Sequence, residues 1–222
     1  MNTVSNPMDP APILRYAAFT RQGRPFPHNQ DAILVAGQVL QQANFVVGHV
    51  PFEQMPRFAI SDGVSGNPQP AAASRLLLQA LLALEATQPG VSPQARAELL
   101  QDRLVRALNR ERRLEDPAAT LITVERAGDA LRLWHAGDSR GYRTADGRAR
   151  LLTQDHTALN VLRAEGSLSA EDADALGSSG LAHALDNIFV YSHYAEPPTV
   201  SVQSVRLNPG EVLLLVSDGV TS

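Results

Sequence analysis

Twice in this chain an apolar strand runs into Ser-Asp-Gly-Val followed by a hydroxyl residue: Phe58-Ala59-Ile60-Ser61-Asp62-Gly63-Val64-Ser65, and Leu214-Leu215-Val216-Ser217-Asp218-Gly219-Val220-Thr221. Each copy describes a buried β-run that stops, a glycine that turns the backbone, and an aspartate held at the strand end. Two such carboxylates brought together in space form an oxygen-rich cage suited to hard divalent cations. The pair constrains the fold because two strand ends, remote in sequence, have to meet.

At 222 residues the chain suits one large domain with a full core. A net charge of −4 argues against a nucleic-acid partner, since phosphate backbones are held by an excess of cationic side chains. Cysteine is absent, which removes disulfides, thiolate zinc sites and sulfur nucleophiles. Lysine is absent too, so all 19 cationic residues are arginine, and Walker-type phosphate loops and Schiff-base chemistry are excluded. Any phosphate bound here is held by arginine, backbone amides or metal. Residues 1–12 are polar and proline-containing and read as a flexible segment ahead of a domain at 13–222. No apolar run approaches the length of a membrane span, so the expectation is a cytoplasmic protein with no membrane partner.

The pattern predicts strands at Ile13–Thr20, Ala32–Val35, within Gln38–Met55, and at Arg57–Ser61. Pro70 opens a leucine-rich helix to about Ala86, apolar around most of its circumference and therefore buried. A second helix, from Pro93 to about Glu115, places Leu99, Leu104, Val105 and Leu108 on one side and arginine on the other. A hairpin Ala119–Glu125/Ala130–Ala136 follows, then short strands near Tyr142 and at Ala149–Leu152. Helices are expected at Thr157–Glu165 and Ala170–Leu176, the latter capped by Ser169. Residues 177–198 read as loop, and strands Val200–Arg206 and Glu211–Ser217 close the chain. Hairpin-linked strands interrupted by a helical block specify an α+β fold with antiparallel sheets.

Asp62 and Asp218 are joined at strand ends by Asp31, in Asn29-Gln30-Asp31, and Asp138, in Gly137-Asp138-Ser139-Arg140. Asp-Gly is a common turn dipeptide, so the joint pattern carries the argument rather than any one copy. In order, Asn29-Gln30-Asp31, Ser61-Asp62-Gly63, Ala71-Ala72-Ala73-Ser74, Ala119-Thr120-Leu121, Gly137-Asp138-Ser139-Arg140-Gly141-Tyr142, Leu152-Thr153-Gln154-Asp155-His156 and Leu213 to Thr221 resemble the metal-dependent serine/threonine phosphatases of the bacterial PP2C type, the PPM family. The resemblance implies a four-layer α-β-β-α sandwich of two antiparallel sheets flanked by helices. It also implies two or three Mn2+ or Mg2+ ions and hydrolysis of phosphoserine or phosphothreonine by a water bridging two of them. Carried over by position, Asp62 bridges both metals, the Gly63 carbonyl binds one and Asp218 the other. Asp31 stands at a direct or outer-sphere ligand position, and Asp138 at a third, weaker metal site.

Departures from the family pattern set further expectations. The family's phosphate-gripping arginine has Phe26 at its position, so Arg24 is assigned as the clamp and counted with Asp62 as catalytic. The stretch Val64-Ser65-Gly66-Asn67-Pro68 lacks the usual glycine pair and histidine, leaving a metal-bound water or Asn67 as general acid. His156 is read as structural, His28 as a solvent-exposed loop residue, and Asp186 as part of a substrate flap from Leu159 to about Tyr194. Family members continue past the second Ser-Asp-Gly through a helix and a strand bearing an Asp-Asn ligand, whereas the sequence ends at Ser222. The expectation is a fragment or a site one carboxylate short, with a catalytically impaired regulatory or binding module as the alternative. The implied partner is a phosphoprotein, opposing a serine/threonine kinase, with the domain acting as a monomer.

Overall fold

Strand character follows directly from how each apolar run alternates. The computed structural model describes residues 12–24, 26–42, 44–88, 90–110, 116–177 and 179–220. The expected flexible segment (except Pro12), the tail of the second helix and Thr221 lie outside these. In chain order the first strands are β1 (Ile13–Thr20), β2 (Asp31–Val35), β3 (Gln38–Leu40), β4 (Asn44–Pro51) and β5 (Phe58–Asp62). Helices α1 (Pro70–Thr87) and α2 (Pro93–Arg110) follow, then β6 (Ala118–Ala119), β7 (Leu121–Ala127), β8 (Ala130–Ala136), β9 (Arg140–Ala145) and β10 (Arg148–Leu151). The chain then forms α3 (Ala158–Ala164), α4 (Ala170–Ala175), α5 (Gly180–His183), β11 (Phe189–Val190), β12 (Ser201–Val205) and β13 (Val212–Val216).

A six-stranded antiparallel sheet in the order β12-β8-β7-β5-β2-β3 is the spine. Because side chains alternate across a strand, it is apolar on both faces. Leu34, Ala59, Leu121 and Trp134 pack with Leu77, Leu81 and Leu84 of α1 and Leu100 and Leu104 of α2. Ile122, Val124 and Leu133 instead meet Leu213 and Leu215 of a second β layer. That layer comprises the sheet β10-β9-β13 and the pair β1-β4. Two β layers with helices outside make the α+β sandwich. Phe19, Phe45 and Val47 remain 65%, 72% and 63% exposed on β1 and β4, so this layer turns a partly apolar face outward.

Two details depart from the sequence reading. The inward stripe of α2 is Ala97, Leu100 and Leu104, and it takes Arg96 with it, 3% exposed, where the periodicity placed arginine outside. Residues 177–198 are not simply loop: β11 pairs with β6, and Phe189 and Tyr191 are fully buried in the helix-side core. The Tyr191 hydroxyl donates to the Ala73 carbonyl at 2.5 Å. Tyr191→Phe is expected to cost about 1–2 kcal/mol, read as a lower urea midpoint with an unchanged m value. No helix among the described residues is long and apolar enough to cross a membrane.

Candidate functional site

The register of β2 on β5 places Asp31 directly opposite Asp62. Neighbouring strands put such cross-strand side chains in contact, so two carboxylates share one sheet end. The turn after Asp62 depends on glycine: a Cβ on Gly63 would lie 2.0 Å from the Pro70 carbonyl oxygen, so only glycine lets α1 start this close to the strand. The Gly63 amide donates to the Gln30 carbonyl at 3.1 Å, and Ser74 of α1 donates to the same oxygen at 2.5 Å. The Asn29-Gln30-Asp31 segment, the first Asp-Gly and the helix are thereby fastened at one point.

The two Ser-Asp-Gly copies use their serines differently. Ser61 is buried and donates to the Thr120 carbonyl at 2.8 Å, a structural bond behind the site. Ser217 donates to Asp31 Oδ2 at 2.8 Å and so ties the second copy to the first. Asp218 follows at the start of a single 3-10 turn, Asp218–Val220. The Asp62 carboxyl lies close enough to both Asp31 and Asp218 to interact with each of them. Three of the strand-end aspartates therefore meet.

Asp138 is brought to the same place by the turn after β8. Gly137 there has φ +106°, and a Cβ on it would fall 2.6 Å from Thr120 Cβ. Thr120 sits between two acidic turns: its hydroxyl accepts from the Asp62 amide at 3.2 Å and is 3.0 Å from Ser139 Oγ. Arg140 forms a bidentate pair with Asp155, at 3.0 and 2.6 Å, bracing the Asp138 turn from the far side.

Burial pushes Asp62 up to about 10, reinforced by the charges of Asp31 and Asp218. Asp31 is raised, again chiefly by burial. Asp138 is pushed up to about 6 by burial and then by Asp218. The neighbouring charges that most raise Asp31 and Asp62 are those of other aspartates. Buried carboxylates without a counter-charge are costly, and a cation removes that cost. Among the described residues no three His, Asp or Glu side chains stand as a ready-formed cage. The donor set, all oxygen with no sulfur or imidazole, fits Mg2+ or Mn2+.

A cleft of about 1270 Å³ connects these acids to the loop bearing Arg24. Asp31, Asp62, Gly63, Asp138, Asp218 and Arg24 all line it, so every residue singled out for the site reaches one cavity. Arg24 is exposed on its loop, as is His28. Asn67 does not line the cleft, and its amide donates to the Asp116 carbonyl at 2.9 Å. Thr120 and Ser217 carry the site's internal bonding and were not assigned roles from sequence. Their signal was a hydroxyl in an otherwise apolar strand-end motif.

Converging Asp-Gly strand ends on a two-layered antiparallel sandwich define the architecture of the PPM phosphatase domain. No protein-family model matches the chain. The serine/threonine protein phosphatase PstP of Mycobacterium tuberculosis is 30% identical over 217 residues, which is 94% of this chain and 37% of that protein. The chain thus spans little more than a third of that relative. The crystal structure of M. tuberculosis PstP/Ppp superposes with a TM-score of 0.66 at 26% identity, covering 93% of this chain and 79% of that one. The PstP catalytic domain in complex with two manganese ions gives a TM-score of 0.61 at 25% identity, covering 93% and 78%. In sequence and in fold the chain is similar to the bacterial PP2C-type, or PPM, serine/threonine phosphatases.

Proposed function

We propose that this domain removes phosphate from phosphoserine or phosphothreonine in proteins, with two or three Mn2+ or Mg2+ ions held by Asp31, Asp62, the Gly63 carbonyl, Asp138 and Asp218. The observation that carries the reading is the convergence of strand-end aspartates: Asp31 stands opposite Asp62, Ser217 ties the second Ser-Asp-Gly to Asp31, and Asp31, Asp62, Asp138 and Asp218 line one cleft. Asp62, central to the cluster, is the carboxylate best placed to be shared between two metals. Bound there, divalent cations lower the pKa of water and neutralise phosphate charge. Ser217 orients Asp31, and Thr120 holds the Asp62 backbone, so the acids are fixed before any ligand arrives. The relatives named as serine/threonine phosphatases support a phosphoprotein substrate, and on the same ground we place the domain opposite a serine/threonine kinase. The proposal adopts a cytoplasmic monomer; no helix among the described residues is long and apolar enough to cross a membrane.

The test is phosphate release from phosphothreonine and phosphoserine peptides. Turnover that needs Mn2+ or Mg2+ and stops with chelator supports the reading. Turnover indifferent to chelator, or none with metal in excess, contradicts it.

Arg24, at the mouth of the cleft, is the proposed grip on the substrate phosphate. Arg24→Ala is expected to raise KM for a phosphopeptide by about tenfold, with a smaller change in kcat, as for a lost charge-assisted contact made in the ground state. An unchanged KM removes Arg24 from that role.

A further inference from the structure

His156 lies outside the acid cluster yet bonds to three segments of the chain. Its Nδ1 is 3.2 Å from the Gly137 amide nitrogen and 2.8 Å from Asn187 Nδ2, and its Nε2 is 2.9 Å from Ser201 Oγ. The orientation of Asn187 is settled independently: the Thr199 amide donates to Asn187 Oδ1 at 2.9 Å, so Nδ2 is the face turned to the imidazole. A backbone N–H and an amide NH2 can only donate, so Nδ1 must be the bare nitrogen. Nε2 then carries the proton and donates to Ser201. The backbones repeat the linkage, with His156 N donating to Gly137 O at 3.1 Å and Asp186 N donating to His156 O at 3.1 Å. One acceptor atom thereby joins the flap, through Asn187, to the glycine that aims Asp138.

We propose that His156 and Asn187 are positioning residues that couple docking of the flap segment to the geometry of the Asp138 turn, and hence to cation binding by Asp138. The inference rests on the reading of Asp138 as a metal ligand. Gly137 is the only link in this path that needs an unusual backbone conformation, so the amide bond to His156 falls on the most constrained point of the turn. A purely structural histidine would be replaceable by any residue that fills its volume. A positioning one needs an acceptor at the Nδ1 position.

Substitution separates these two roles. Asn places an oxygen the same number of bonds from Cα as Nδ1 and preserves the acceptor for Gly137 and Asn187. Gln reaches the Nε2 position and removes that acceptor. Mn2+ binding to the whole chain is measured by calorimetry and by the spin-resonance signal of free Mn2+, with thermal melting as the fold control. His156→Gln and Asn187→Asp are expected to weaken the lowest-affinity Mn2+ step about tenfold or more, while His156→Asn stays within about twofold of wild type. Asn187→Asp keeps the acceptor for the Thr199 amide and removes the donors to His156 and to the Thr199 carbonyl, so with an unchanged melting temperature it decides the matter if His156→Gln does not fold. Equal Mn2+ affinity in wild type and all variants overturns the inference and leaves the metal site standing. Equal weakening in His156→Asn and His156→Gln also overturns it, by reducing His156 to a packing role. Absence of Mn2+ binding in the wild type sinks the metal-site reading itself, and this inference with it.

Discussion

Asp62→Asn is expected to abolish metal-dependent phosphatase turnover, by at least about a thousandfold, while making the metal-free protein more stable. Both effects have one origin. Asp62 is buried between Asp31 and Asp218, and its carboxyl is pushed up to about 10. A folded-state value raised above that of the unfolded chain means that the native protein holds a proton which the unfolded chain gives up near pH 4. The associated stability is full below pH 4 and is lost as pH rises towards 10. In chelator, the melting temperature of the wild type should therefore fall between pH 5 and 8, and Asp62→Asn should flatten that slope. At neutral pH the gain in the variant is roughly 1–3 kcal/mol, because an amide removes the charge problem and keeps the shape. Mn2+ should raise the melting temperature of the wild type and leave that of the variant nearly unchanged. A variant that melts lower than wild type in chelator and still turns over with Mn2+ contradicts the assignment.

Gly63→Ala should give the largest loss of stability of any single methyl group in the chain. The added Cβ meets Pro70 backbone oxygen at 2.0 Å and the Pro70 carbonyl carbon at 2.4 Å, and backbone cannot rotate aside as a side chain can. Relief requires α1 to withdraw from the strand end, breaking the bonds from the Gly63 amide and Ser74 to Gln30. The expected cost is about 3–5 kcal/mol, enough to leave much of the protein unfolded at 37 °C. Gly66→Ala is the control, since nothing lies within 4 Å of the position its Cβ would take. Chemical denaturation that places both variants within about 1 kcal/mol of wild type would remove Gly63 from its role in seating the helix.

The sequence made much of this site readable because its parts are local. A strand, a stop and an Asp-Gly are contiguous, so Asp31, Asp62, Asp138 and Asp218 could be identified as strand-end acids before any were seen together. The β7–β8 hairpin, two apolar runs joined by the Gly128-Asp129 turn, and the leucine-rich α1 were equally legible. What stayed hidden depends on distant partners. Phe189 and Tyr191 stand in the apolar run Ile188-Phe189-Val190-Tyr191, too short to show a period of its own, and they are buried because α1 and β6 lie above them. Arg96 turns inward although its helical position reads as surface; burial and then the Arg57 charge lower its pKa, with Glu125 and Glu85 acting the other way. The different duties of Ser61 and Ser217 could not be told from identical motifs. They arise from what each strand end faces: Thr120 for one, Asp31 for the other.

The central claim is that the converging carboxylates form a divalent-cation site, and Mn2+ titration of the purified chain by calorimetry tests it most directly. The account predicts uptake of at least two Mn2+ per chain with proton release, because burial raises Asp31 and Asp62 and the protons they hold must leave as the metals enter. Uptake should disappear in Asp62→Asn. A wild-type chain that takes up no Mn2+ at millimolar concentration, or takes it up without releasing protons, would contradict the account.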